Sequence, residues 1–428
     1  MLLAIGFGWL AHTNRATMTQ TLDHLSEAAG WSDEPRLTWR LNFEAEGLSP
    51  TAEPENPDPE WRVRQIYAQL GEGDRAQALA TAASLASQFP NFQLGQLLYA
   101  DLLNISSASP VDWPEADTPN ATSMRKRLDE LLLESQRRLN RDHVLNLKDK
   151  VPSALAFLSP QQTYLAAVDA SQSRLYWFEN RPDTQGRSAL HLVSESYISI
   201  GMHGMGKHKE GDGKTPVGVY FIQRSLPGKG LPDLFGAGAL TLNYPNPVDL
   251  MRQKTGSGIW LHGTPSAQYA RAPESTDGCV VLSNPEMARL LQLPNLRTTP
   301  VIIAEKLDWV PPQQTQQAFD TFQSTLDQWL KARNANDPEA LKIHYSQNYG
   351  REGLNLEQAW PRLVRTTLGH RQSAPLELVS ALQWQDLENF MVVTLKQPLQ
   401  NMAAGTSLLR LYWQKEGQNW RIIHQGTT

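Results

Sequence analysis

Gly258-Ile259-Trp260-Leu261-His262-Gly263-Thr264 and, beyond a loop, Ser275-Thr276-Asp277-Gly278-Cys279-Val280-Val281-Leu282-Ser283-Asn284 set the character of the middle of this chain. The first piece reads as a strand that ends at His262, and the second as a strand that opens just after Cys279. Two strand ends on one sheet edge can bring a thiol and an imidazole together, with the intervening loop walling a cleft. A thiol at its ordinary pKa is only partly ionised at neutral pH, so a nucleophilic cysteine needs an imidazole or another positive influence beside it. Gly278 lets backbone approach closely, and the amides around Gly278 and Cys279 are candidate oxyanion donors.

Taken singly, Cys279 reads as a small buried hydrophobe before a Val-Val-Leu strand, and His262 as a hydrogen-bonded strand-end histidine. Taken together, with a glycine beside each, they read as a nucleophile and its base. Cys279 is the only cysteine in the chain, so an internal disulfide and a zinc site built on cysteine pairs are both excluded.

Working outward, strand-like runs flank this core on both sides: residues 163–180 and 189–201 as a hairpin, then 217–223, 239–244 and 300–306. The block from about 160 to 306 is therefore expected to be a β-rich domain. Before it, 61–150 shows helical spacing, with Trp61, Ile66, Tyr67 and Leu70, a turn at Gly71 and Asp74, an Ala-rich repeat of apolar positions, and a further helix over 123–139. Helix, Gly-Asp turn, helix and proline resemble a tetratricopeptide unit, but too few units are visible for a solenoid. After Pro311 a Gln-rich linker leads into 316–428, where an amphipathic helix (Phe319, Phe322, Leu326, Trp329, Leu330) precedes long strand-like runs and a hairpin turning at Glu416-Gly417-Gln418-Asn419. That order resembles the nuclear-transport-factor-like (SnoaL-like) cone. His344, His370 and His424 there are joined by no catalytic motif.

The expected fold class is thus multidomain α+β: a helical N-terminal region, a β-rich central domain and a C-terminal α+β cone. Residues 1–15 read as a signal- or anchor-like segment, although no basic n-region or clean cleavage site accompanies them, and 16–60 read as a polar linker ending in a Pro- and Glu-rich stretch. A length of 428 residues supports several domains, and a net charge of −5 gives no basic stripe for nucleic acid or an anionic membrane.

With those residues in view, the central block resembles the YkuD-like L,D-transpeptidase catalytic domain. His-Gly-Thr at 262–264, the spacing to Ser/Thr-x-Gly-Cys at 276–279, and Asn284 carry the resemblance, supported upstream by residues 198–222, 243–249 and 254–263. The resemblance implies an exported, periplasmic or envelope-associated enzyme acting on peptidoglycan peptide stems without a cofactor or metal. It implies Cys279 as nucleophile and His262 as general base, with Thr276, Asp277, Gly278, Gly263 and Asn284 shaping the thiol's surroundings or the substrate site. Two positions depart from the family pattern: Val281 stands where arginine is common, and Asp277 where histidine is common. The first removes a cation suited to the donor carboxylate, which leaves transpeptidation, L,D-carboxypeptidase trimming of tetrapeptides and a non-catalytic wall-binding scaffold as the three readings. The helical region, catalytic domain and cone in that order resemble cell-shape L,D-carboxypeptidases. The cone is expected to leave a pocket or free face for the wall, a wall protein or a second copy of the chain.

Two other readings of 201–214 fail on spacing. The glycines and lysines lack the Walker spacing after a strand. His203, His208 and Asp212 fit no metal-ligand spacing, so a glycine-rich turn is expected there.

Overall fold

The structure, a computed structural model, describes residues 58–428 apart from 107–118, 141–146, 148, 183–187, 351–354, 369–375 and 399–405. The expectations for 1–15, for the linker up to 57 and for His370 lie outside the described residues. The described residues divide into two compact units, one holding those up to 140 together with Ala267–Pro273, the other those from 147 to Ser266 and Glu274–Thr428. Among the described residues no helix is long and apolar enough to cross a membrane.

The first unit is helical: α1 (Pro59–Gly71), α2 (Arg75–Gln88), α3 (Gln93–Ser106) and α4 (Pro119–Leu139). Asp58 caps α1 by accepting from the Trp61 amide at 2.7 Å, with Pro59 at the first helical position, where its missing N–H costs nothing. Asp74 caps α2 in the same way, accepting from the Gln77 amide at 3.0 Å. Between them Gly73 takes a positive φ of 83°, open to glycine at little cost. Val63 and Ile66 of α1 meet Ala78, Ala82 and Leu85 of α2 in a core where all five are fully buried. The alanines let the two helix backbones approach closely. Arg138 of α4 is buried too, and it is neutralised by Glu134 at 2.8 Å and Glu60 at 2.9 Å. Tyr269, from the loop between His262 and Cys279, joins this unit: its ring meets Phe89 and Phe92 edge-on at 5.5 and 5.2 Å. Its amide donates to the Asn91 carbonyl at 3.0 Å.

The second unit is built on two large sheets. The short strands β1 (Val151–Pro152) and β2 (Leu155–Leu158) come first, followed by β3 (Tyr164–Asp169), β4 (Arg174–Asn180), β5 (Leu190–Tyr197), β6 (Ile200–Gly201), β7 (Gly218–Pro227) and β8 (Gly238–Leu242). After α5 (Pro247–Met251) come β9 (Trp260–His262), β10 (Glu274–Thr276) and β11 (Val280–Val281), then α6 (Asn284–Leu291) and β12 (Pro300–Ala304). The eight-stranded sheet runs β11-β9-β8-β7-β12-β3-β4-β5. The C-terminal part adds β13 (Trp309–Val310), α7 (Pro312–Asn334), α8 (Pro338–Lys342), α9 (Leu356–Leu368) and the strands β14 (Glu377–Asp386), β15 (Glu388–Pro398), β16 (Thr406–Glu416) and β17 (Asn419–Thr427). Its sheet runs β17-β16-β15-β14-β2, with the last hairpin turning at Gly417, where φ is +60°. Beside the two large sheets, β1 pairs with β13 and β6 with β10 in two-stranded pairings.

Two details differ from the sequence reading. Residues 155–158, just ahead of the expected central domain, form β2 and pair with β14 of the C-terminal sheet. The outer face of the cone's sheet is also covered over much of its area. Its inner face (Met391, Val393, Leu411, Trp413) takes the apolar side of α7, Phe319, Phe322, Leu326 and Trp329, as expected. Its outer face (Leu382, Phe390, Val392, Tyr412, Ile423) packs on Leu165, Ala167, Tyr176, Phe178 and Phe221 of the eight-stranded sheet. For that reason β3 is buried along its whole length: alternate residues face the core on the other side of the eight-stranded sheet and the C-terminal sheet. Arg252, after α5, adds a polar tie to this junction, with an ion pair to Asp386 at 2.6 Å and its guanidinium over Phe390 at 4.9 Å.

Candidate active site

Leu261 and Val280 are the residues that fix the site, because both are fully buried in the core of the eight-stranded sheet. They pair directly, Val280 with Leu261 and Val281 with His262, in a parallel register of β11 on β9. The Leu282 amide donates to the His262 carbonyl at 2.9 Å and locks that register. Side chains alternate along a strand, so with Leu261 and Val280 turned inward, His262 and the position of Cys279 fall on the opposite face. His262 is buried, whereas Cys279 is partly exposed.

The imidazole is held by its own strand end. Nδ1 lies 2.7 Å from the Gly263 carbonyl, and a carbonyl can only accept, so Nδ1 carries the proton. In the neutral ring that tautomer makes Nε2 the acceptor nitrogen. Phe235 stands edge-on to the ring at 5.1 Å, and at 4.9 Å from Trp260. The Cys279 thiol donates to the Gly258 carbonyl at 3.3 Å.

The turn before the thiol is internally braced. Thr276 Oγ1 accepts from the Gly278 amide at 3.0 Å and donates to the Cys279 carbonyl at 2.8 Å. The Gly278 amide is thus engaged inside the turn. Gly278 has φ +124°, and a Cβ there would sit 2.5 Å from the Lys214 carbonyl, so only glycine fits. Asp277 is exposed at the turn.

The glycine-rich stretch forms the other wall of that turn. Thr215 Oγ1 donates to the Gly278 carbonyl at 2.9 Å and accepts from the Gly201 amide at 2.9 Å. Asp212 organises the stretch, taking Lys207 Nζ at 2.9 Å and the amides of His208, Lys209 and Lys214 at 2.7, 2.9 and 3.2 Å. Burial alone would raise the Asp212 carboxyl, but the Lys207 ammonium and these amides together hold it well below the usual carboxylate range. His203 Nδ1 contacts the Asp212 backbone carbonyl at 2.9 Å, and among the described residues no cluster of His, Cys, Asp and Glu suited to a metal ion occurs.

Asn284 and Gly263 brace the far side. Asn284 Nδ2 donates to the Thr264 carbonyl at 2.8 Å, and its Oδ1 accepts from the Ala237 amide at 2.8 Å. A Cβ on Gly263 would lie 2.2 Å from that Oδ1. Asn284 therefore clamps the chain after His262 onto the Gly236–Ala237 loop, a positioning role. Val281 is buried, its amide and carbonyl both bonded to Ser199 at 2.9 Å. Phe235, Trp260, Thr215 and Asp212 were not singled out as site residues from sequence. Only the Asp-Gly-Lys-Thr-Pro run at 212–216 could have signalled the last two.

Residues 163–303 match the YkuD family, the L,D-transpeptidase catalytic domain. Among solved structures, Bd1075 of Bdellovibrio bacteriovorus is similar at 26% identity and TM-score 0.51, over 65% of this chain and 98% of that one. The helical cell shape determining protein Pgp2 from Campylobacter jejuni is similar at 19% identity and TM-score 0.47, over 62% of this chain and 91% of that one. An NTF-2 like protein of unknown function from Shewanella oneidensis aligns at 15% identity and TM-score 0.20, over 26% of this chain and 98% of that one. A search of curated proteins gave no match.

Proposed function

We propose, from a chain whose residues 163–303 match the L,D-transpeptidase catalytic domain of the YkuD type, that it modifies peptidoglycan by acyl transfer through Cys279. The donor is the tetrapeptide stem. Sγ of Cys279 attacks the carbonyl carbon between the L-centre of the diamino acid and the terminal D-alanine. His262 Nε2 takes the thiol proton and returns it to the departing amine, so D-alanine leaves and a thioester remains. An acceptor amine then displaces the thiol and completes an L,D-transpeptidation. The observation that carries this reading is the His262 tautomer, with Nδ1–H given to Gly263 and Nε2 the acceptor, on the strand face that Cys279 shares.

A second reading, in which water resolves the thioester and the product is a tripeptide, is favoured by Val281. Its buried side chain provides no cation where the family commonly has arginine, and so no fixed charge to orient a donor or acceptor carboxylate.

The experiment is incubation of the purified protein with tetrapeptide muropeptides, with and without glycine as acceptor, read by mass. Loss of D-alanine with gain of glycine supports transpeptidation, and loss of D-alanine alone supports hydrolysis. No change in mass, together with no acylation of Cys279 by a carbapenem, returns the chain to a wall-binding scaffold.

A further inference from the structure

Arg410 stands in β16 on the face turned toward the eight-stranded sheet, with its guanidinium over the Phe221 ring at 3.5 Å from the centroid. It is 5% exposed. Burial pushes its pKa down to about 10, so it keeps its charge at neutral pH. A buried cation is normally paired, because removing it from water is costly. Among the described residues no carboxylate pairs with Arg410, and its buried Nε meets no acceptor.

The side chain lines a cavity of about 600 Å³ between the two sheets, with Arg224, Arg297, Asn243, Tyr412 and His424 around it. Three arginines and no acidic side chain line this space, with Thr428 and its main-chain carboxylate also on the lining. The volume suits a small molecule. Arg224 and Arg297 are exposed and able to close on a ligand, whereas Arg410 is fixed by Phe221 and already desolvated. A guanidinium presents a planar fork that matches two oxygens of a carboxylate or phosphate. None of the residues around Cys279 and His262 lines the cavity.

We propose that this cavity is a binding site for an oxyanion, the carboxylate or phosphate group of a small ligand, with Arg410 as its fixed anchor and Arg224 and Arg297 as mobile partners. The site is independent of the thioester chemistry and of whether that chemistry occurs.

The test is calorimetric titration of the full chain at low salt with two probes, inorganic phosphate and succinate. Saturable one-to-one binding is expected for at least one probe, weakened about tenfold or more in Arg410→Met, which keeps the packing on Phe221 but removes the charge. Binding of phosphate alone identifies a phosphate-bearing ligand, binding of succinate alone a carboxylate-bearing one, and binding of both the oxyanion itself. The double variant Arg224→Ala/Arg297→Ala should also weaken binding and reduce its salt dependence. It decides the question if Arg410→Met fails to fold. Failure of both probes to saturate in the millimolar range, or affinities unchanged in the variants, would overturn the proposal and leave Arg410 as a packing residue.

Discussion

Val281 lies opposite His262 in the parallel pairing of β11 on β9, so Cys279, two residues earlier, stands level with Trp260 on the face that also carries His262. The thiol and imidazole are therefore tied to one register, and that register is held by the buried pair Val280 and Leu261. A one-residue slip would turn Val280 outward and the thiol into the core.

The first prediction follows from that register. Cys279→Ala and Cys279→Ser should abolish D-alanine release from tetrapeptide muropeptides, and His262→Ala should lower it by at least 10²-fold, in keeping with the usual contribution of a general base. Thermal melts should stay close to wild type for the Cys279 variants, since the thiol is partly exposed and its bond to Gly258 is weak. Retained D-alanine release in Cys279→Ala would refute the thioester route.

Asn284 gives a second. Asn284→Ala removes both arms of the clamp between Thr264 and Ala237 and leaves two backbone groups to find new partners. A loss of about 2 kcal/mol in urea-derived stability is expected, at about 1 kcal/mol per bond. Turnover should fall as well, because the strand end after His262 loosens. An unchanged stability and rate would show the clamp to be dispensable.

For Gly278 the clash is with backbone, which cannot swing aside. Gly278→Ala should cost about 1–3 kcal/mol, the scale of a strained backbone position. It should slow alkylation of Cys279 by iodoacetamide, since the Lys214 carbonyl must move away from the turn. Alkylation at the wild-type rate would mean that the turn adapts without disturbing the thiol.

Asp212 supplies a pH dependence. Its folded-state pKa is depressed, so its contribution is fully present above its unfolded value of about 4 and is lost as pH falls toward the folded one. Asp212→Asn should therefore be clearly less stable than wild type at pH 7, with the gap closing as the pH drops through about 4 and below. Urea midpoints for both proteins at pH 7, 5 and 3 test this; a gap that stays constant with pH would assign the effect to lost packing.

A truncation ending near residue 314 is expected to aggregate rather than yield a free catalytic domain. It strips the cover from Leu165, Ala167, Tyr176, Phe178 and Phe221, and it leaves β2 without β14. Each such side chain returned to water costs on the order of 1.5–3 kcal/mol when large and apolar. Size-exclusion chromatography gives the answer, and a monodisperse, folded fragment would contradict it.

By itself the sequence determined the parts governed by local rules. The apolar spacing of Trp61, Ile66, Tyr67 and Leu70 announces a helix, and Gly417 marks the last hairpin because its φ suits glycine. The rarity of cysteine, with His262 and the flanking glycines, singled out the candidate site. Tertiary structure alone decided the rest. Nothing local in Leu155–Leu158 says that its partner is β14, more than two hundred residues on, since strand pairing is a non-local contact. Period-2 patterning failed to show that β3 is covered on both faces, because a second sheet had to be in place before its outer residues were buried. Asn284 and Asp212 read as a motif end and a turn residue. Only folding brought Thr264 and Ala237 to one, and Lys207 with three amides to the other, and it is those hydrogen bonds that fix what each residue does.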